Sequence, residues 1–157
     1  MGLDEFLPLY GEGLLTTDLR VGQVASPLFR VPPHTTIGEA LKHMFQHRVR
    51  RLFLDERVFI SDRSIIRFIF SPEILMELRD SPERLMGHTL AELGPIEAIE
   101  GSGEMGVAEA SGLIRPGTMD CIVCREGVVT PWDLVVKPWI QRRLRFSPSG
   151  GGGEASE

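Results

Sequence analysis

The sequence predicts an α+β protein made of two copies of a β-α-β-β-α unit, packed sheet to sheet with pseudo-twofold symmetry. Three observations carry this. The chain repeats itself: Leu52 to Ile66 reads LFLDERVFISDRSII and Cys121 to Val135 reads CIVCREGVVTPWDLV, ungapped at an offset of 69 residues. Apolar residues coincide at 52/121, 53/122, 54/123, 59/128, 60/129, 65/134 and 66/135, and such self-similarity decides the fold before any local reading does. Second, the apolar runs inside each copy are three or four residues long, rich in Val, Ile and Phe, and joined by tight charged turns, which reads as strand and not helix. Third, a unit of about fifty residues buries too little surface to stand alone, so the copies must share one globule.

Taken in order, residues 1–16 read as an N-terminal arm, because Asp4, Glu5 and Glu12 and the breakers Pro8, Gly11 and Gly13 interrupt any periodicity. Residues 17–71 form the first repeat: a strand at Leu28 to Val31, a PPHTT loop, a helix starting near Ile37-Gly-Glu-Ala, the hairpin RLFL-DER-VFI, and a helix from Asp62. Residues 72–85 read as a connecting helix, since Phe68, Ile69, Phe70 and Leu75 to Leu78 are too apolar for a linker and suit packing between copies or at a dimer interface. Residues 86–146 repeat the pattern with a strand at Ile96 to Glu100, a GSG loop, a helix near Val107-Ala-Glu-Ala, the hairpin CIVC-REG-VVT and a helix from Pro131. Thr130 suits an N-cap and Pro131 the first helical position, where a missing N–H costs nothing. From Ser147 the tail SPSGGGGEASE has almost nothing to bury and is expected to be disordered.

Composition narrows the function. The 157 residues are 42% hydrophobic and 25% charged, with a formal net charge of −5. No apolar run approaches the ~18 residues of a membrane span, and the acidic MGLDEFLPLY is unlike a basic signal peptide, so a cytoplasmic protein without membrane contact is expected. Net acidity disfavours phosphate-backbone binding. The basic middle (Lys42, Arg48, Arg50, Arg51, Arg57, Arg63, Arg67) and Arg142, Arg143 and Arg145 at the end of a C-terminal helix keep a nucleic-acid alternative open, without interleaved stacking aromatics. Two equivalent clefts between the copies, at strand ends where helices start, suit anions and polar ligands.

The sharpest motif is Gly127-Val-Val-Thr-Pro-Trp-Asp-Leu134. Thr130 at a helix start offers a hydroxyl, and Asp133 lies three residues on, on the same face of the first turn. A carboxylate there suits the vicinal hydroxyls of a ribose. The same two residues also read as a plain cap and a dipole-favoured acid. In the first copy Val58 replaces the glycine, Ser61 keeps the hydroxyl and Ser64 replaces the acid.

With the ASPLFRVPPHTTIGEAL opening and the RRLFL strand, this motif makes the repeat similar to the CBS domain, and the tandem resembles a Bateman module over roughly Thr17 to Trp139. The resemblance implies a non-enzymatic regulatory module with no cofactor, binding an adenosine-containing ligand (AMP, ADP, ATP or S-adenosylmethionine) in the cleft between repeats. It implies Thr130 and Asp133 as ribose contacts, Arg50 and Arg51 at a strand start as phosphate contacts, Ile96 and Ala98 as adenine contacts, and Ser61 and Ser64 as a degenerate first site. Asp120 stands where a second-copy phosphate contact would, which weighs against a triphosphate. A homodimer and an unidentified protein partner are expected. The alternative is a constitutive dimerisation or scaffold module with empty clefts.

Other signals are weaker. Gly101-Ser-Gly-Glu-Met-Gly106 matches a dinucleotide fingerprint with Glu126 twenty residues on, but IEAIE lacks the apolar character of a buried parallel strand, and the glycines read as a flexible loop over the cleft. Cys121 and Cys124 are three apart on a strand, so they face opposite sides and share no metal. His43 and His47 are at i and i+4 on a helix face that reads as solvated, and no catalytic constellation is expected.

Overall fold

The chain is described by a computed structural model covering residues 3–115 and 120–147. After a 3-10 turn at Leu3–Phe6 come α1 (Leu7–Gly11), β1 (Leu15–Thr16), α2 (Val21–Val24), α3 (Ile37–His47), β2 (Arg51–Phe53), β3 (Val58–Ser61), α4 (Asp62–Ile69), α5 (Pro72–Asp80) and α6 (Pro82–Gly87). A second 3-10 turn at Leu90–Leu93 precedes β4 (Ile96–Glu97), β5 (Ile99–Glu100), α7 (Val107–Leu113), β6 (Ile122–Cys124), β7 (Gly127–Val129), α8 (Pro131–Ile140) and β8 (Arg145–Phe146). Leu28–Glu97 forms one compact unit, and the described residues of Met1–Pro27 and Ala98–Glu157 form the other.

In the unit Leu28–Glu97, β2, β3 and β4 make an antiparallel sheet, with Leu52 opposite Ile60 and Phe59 opposite Ile96. The predicted strand at Leu28 to Val31 reduces to two bonds on β2, Val31 N–H to Phe53 O at 2.9 Å and Phe53 N–H to Phe29 O at 2.8 Å. Asp55 locks the β2–β3 turn by accepting from the N–H groups of Arg57 (2.8 Å) and Val58 (2.7 Å), as Asx turns do. Helix α3 begins at a Thr36–Glu39 capping box and buries Ile37, Ala40 and Met44 on one stripe, and these pack with Leu52, Ile60 and Leu90. The connecting helix of residues 72–85 is two helices, broken at Ser81 before Pro82 because proline cannot continue the ladder of α5;. Ile74 is buried in this unit's core, and Phe68, Ile69 and Leu78 pack against it.

His88 organises the same unit. Its Nδ1 lies 2.9 Å from Glu92 and its Nε2 2.6 Å from Glu77, while Phe68 meets the ring edge-on at 5.1 Å. Both nitrogens donate to carboxylates only in the imidazolium form, so the hydrogen bonds that His88 makes to Glu92 and then Glu77 raise its pKa;. A raised folded pKa stabilises fully below the unfolded value near 6.5 and loses that contribution as pH rises through the folded value. Glu92 is lowered, chiefly by the Thr89 N–H, and its contribution is lost as pH falls through the lowered value. The difference in urea midpoint between the wild type and His88→Gln is therefore expected to be largest near pH 6 and to shrink toward pH 9; a difference independent of pH over that range would exclude the imidazolium.

In the other unit β5, β6 and β7 form a mixed sheet, β5–β6 parallel and β6–β7 antiparallel. The predicted strand at Ile96 to Glu100 is thus divided at Ala98: Ile96–Glu97 pairs with β3 and Ile99–Glu100 with β6. The first repeat divides the same way, since Ser26 exchanges both backbone bonds with Val128, at 2.8 and 2.9 Å. Residues 17–27 therefore fold with the second repeat's hairpin, and the compact units do not follow the repeat boundary at Thr17.

The N-terminal arm is core. Leu7, Tyr10 and Leu15 are buried with Val107, Ile122 and Leu134, and short apolar spacing through α1 and β1 supplies what the interrupted periodicity hid. Tyr10 donates its hydroxyl to Leu134 O at 2.6 Å. That carbonyl lacks its usual helical donor because residue 138 is proline;. Burial pushes the Tyr10 phenol up to about 12. Tyr10→Phe is expected to cost about 1 kcal/mol, and less in a Pro138→Ala background that restores an N–H. Equal costs in both backgrounds, measured by urea unfolding, would contradict this compensation. The predicted basic C-terminal helix stops at Ile140, where Arg142 adopts φ 57°. Arg145–Phe146 then pairs as β8 with β1, and Ser147 N–H donates to Leu14 O at 2.8 Å. The remainder of the predicted tail, residues 148–157, lies outside the described residues.

Candidate functional site

The β7–α8 corner is set by two local facts. Gly127 has φ 142°, and a Cβ there would fall on the Ser26 carbonyl; only glycine lets the Ser26 segment lie this close. Thr130 then caps α8: its Oγ1 accepts from Asp133 N–H at 3.4 Å, and Pro131 occupies the first helical position.

The capping box turns the Asp133 carboxylate inward. Its Oδ2 accepts from Thr130 N–H at 2.9 Å and Thr130 Oγ1–H at 3.1 Å. Its Oδ1 accepts from Ser26 Oγ–H at 2.7 Å and forms an ion pair with the Lys137 ammonium at 3.1 Å. Three hydrogen bonds and one ion pair surround the carboxylate, and Asp133 is 1% exposed. Lys137 also donates to Val24 O (2.7 Å), Ala25 O (3.2 Å) and Ser26 Oγ (2.9 Å), tying α8 to the end of α2. A cation on terminal helix carbonyls gains from the dipole as well.

The first-repeat corner is a neutral version. Ser61 N–H donates to Ser64 Oγ at 3.0 Å and Ser64 N–H to Ser61 Oγ at 3.3 Å, with both serines buried. At the 69-residue offset, Phe68 stands where Lys137 does. Acid and ammonium thus occur together in one repeat and are both absent from the other.

The structure brings Thr130 and Asp133 into contact, and likewise Ser61 and Ser64. Arg51 stands opposite Ser61 in the β2–β3 register, Arg50 is exposed, and Ile96 is half-buried opposite Phe59, all within Leu28–Glu97. Ala98 is buried in the other unit. Ser26 and Lys137 were not among the predicted site residues. Asp133 preceding Lys137 by four is a favourable helical pair visible in the sequence, whereas nothing marks Ser26, which lies 107 residues from its partner.

The GSGEMG segment is pinned and does not form a free flap. Val21 N–H donates to Met105 O at 2.8 Å and Gly22 N–H to Gly103 O at 2.9 Å. The Glu126 carboxylate fills the space where side chains on Gly22 and Gly103 would stand. Cys121 and Cys124 are both buried, and burial pushes the Cys124 thiol up, away from nucleophilic use;. The His43 and His47 rings stack, His47 also lying on Phe29 at 4.5 Å. Among the described residues no three His, Cys, Asp or Glu side chains are grouped to hold a metal ion, and no helix is long and apolar enough to cross a membrane.

This arrangement of repeated hairpins and capped helices is the fold of a tandem CBS-domain protein. Among solved structures, the chain is similar to a CBS domain protein of Pyrobaculum aerophilum complexed with AMP, with TM-score 0.57 and 19% identity over 79% of this chain and 96% of that one. It is similar to the CBS-pair protein CBSX2 of Arabidopsis thaliana, with TM-score 0.56 and 19% identity over 81% and 99%; CBSX2 has also been solved in complex with AMP. A protein of Methanocaldococcus jannaschii, proposed as an archaeal homologue of γ-AMPK, gives TM-score 0.68 and 10% identity over 86% of this chain and 52% of that one. No protein-family model and no curated protein matches the chain.

Proposed function

We propose that the chain is a non-enzymatic regulatory module that senses an adenosine-containing ligand through the Thr130–Asp133 corner. The observation that carries this is the hydroxyl–carboxylate pair held at the start of α8, in a fold whose similar structures include AMP complexes. Ala98, buried in the same unit, is the proposed adenine contact there. A ligand acts as a signal only by binding one state of the chain better than another. Thermal-shift titration with AMP, ADP, ATP, S-adenosylmethionine and NADH tests the reading, since a ligand specific to the folded state stabilises it by about 2.7 kcal/mol at a hundred times its dissociation constant. A flat response to all five overturns it.

One observation favours a second reading, a constitutive association module: the Asp133 carboxylate is already satisfied by three internal hydrogen bonds and an ion pair. Trp139 and Ile140 on α8 and Phe146 on β8 are 70%, 64% and 64% exposed, which suits self-association. Light scattering after size exclusion separates the readings, because a ligand-independent dimer together with flat titrations supports the second.

A further inference from the structure

We infer that Lys137 is a built-in occupant of the second-repeat corner, which competes with a ribose for Asp133 and selects for an anionic adenosine ligand over a neutral or cationic one. This rests on the adenosine-sensing reading above.

Three observations lead to it. The Oδ1 edge of Asp133 receives one hydrogen bond, from Ser26 Oγ, and one ion pair, from Lys137 Nζ at 3.1 Å, so both approaches that the hydroxyls of a vicinal diol would use are taken. A ribose therefore reaches Asp133 by exchange and not by addition. The Lys137 side chain is 25% exposed against 2% for Asp133, so the lysine is the partner of the pair that solvent reaches. Finally, the charged pair is confined to one repeat, with Ser64 and Phe68 in its place in the other. A simple helix cap needs no ammonium, as the Ser61–Ser64 box shows.

Displacement leaves Lys137 with the carbonyls of Val24 and Ala25 and the Ser26 hydroxyl but without its carboxylate. A ligand phosphate restores an anionic partner to the ammonium. Adenosine restores nothing, and the sulfonium of S-adenosylmethionine adds a second positive charge.

Isothermal titration with adenosine and AMP tests this on the full chain, with Lys137→Met, which keeps the stem and removes the charge. Lys137→Gln serves as the second variant, because it keeps a donor for Asp133 should the Met variant melt early. The wild type is expected to prefer AMP over adenosine by at least about tenfold. Either variant should bind adenosine about tenfold tighter than the wild type and lose most of the AMP preference. AMP binding by the wild type with adenosine affinity unchanged or weakened in both variants overturns the competitor role while leaving the sensing reading intact. Absence of binding by the wild type and both variants overturns the two together.

Discussion

Asp133→Ala is expected to lower the unfolding free energy by about 3 kcal/mol, because it strands a half-buried ammonium and removes the acceptor of the capping box. For a chain of this size that corresponds to a fall in Tm of about 10 °C. The carboxylate is 1% exposed, accepts from Ser26 and both Thr130 donors and pairs with the Lys137 ammonium, so truncation leaves polar groups without partners at several points. Loss of ligand binding in this variant would therefore say little about a ribose contact. The neutral first-repeat corner indicates the repair: Asp133→Ser combined with Lys137→Met removes both charges, and the double variant should be at least about 1 kcal/mol more stable than the sum of the single effects predicts. Urea unfolding of the four proteins measures this. Additive costs, or an alanine variant within about 0.5 kcal/mol of the wild type, would show that the pair does not hold the corner.

Gly127→Ala is expected to cost a similar amount, about 3 kcal/mol. The backbone there has φ 142°, a region costing an L residue about 1–3 kcal/mol, and the new methyl would meet the Ser26 carbonyl. Relief requires Ser26 to withdraw, which breaks its two backbone bonds to Val128 and the hydroxyl bond to Asp133. Val58, the first-repeat counterpart, tolerates a side chain because its φ is not positive. A Gly127→Ala variant that melts with the wild type would mean that the Ser26 segment is not held against β7. Amide exchange at Val128 offers an independent check, since its N–H donates to Ser26 O at 2.9 Å and should lose protection in the variant.

The repeat was legible because the 69-residue offset aligns apolar residues whose burial the hairpins require, and Leu52, Ile60, Ile122 and Val129 are all fully buried. The cap at Thr130 was legible for a local reason, since it is satisfied within three residues, as are the caps that the structure adds at Thr36 and Ser61. What escaped is long-range. Tyr10 meets Leu134 across 124 residues, and no local periodicity announces it, so the first residues read as an arm. The strand at Ile96 to Glu100 read as continuous because propensity does not reveal a change of partner at Ala98, and the strand at Leu28 to Val31 omitted Ser26, whose partner Val128 lies 102 residues away. Asp133 was found by its motif, but its saturation by Ser26 and Lys137 depends on a chain reversal that the motif does not encode.

The discontinuous unit also orders events during synthesis. Leu28–Glu97 is one uninterrupted stretch, so it can acquire its core while the rest of the chain is still being made. The other core needs Leu7 and Tyr10 from the beginning and Leu134 from near the end. Pairings so distant in sequence are slow to form, and until residues 107–135 leave the ribosome the apolar face of α1 lacks the partners that bury it in the finished unit. The nascent chain therefore passes through a stage with one finished unit and one exposed N-terminal segment, and that segment is where chaperone contact and aggregation concentrate.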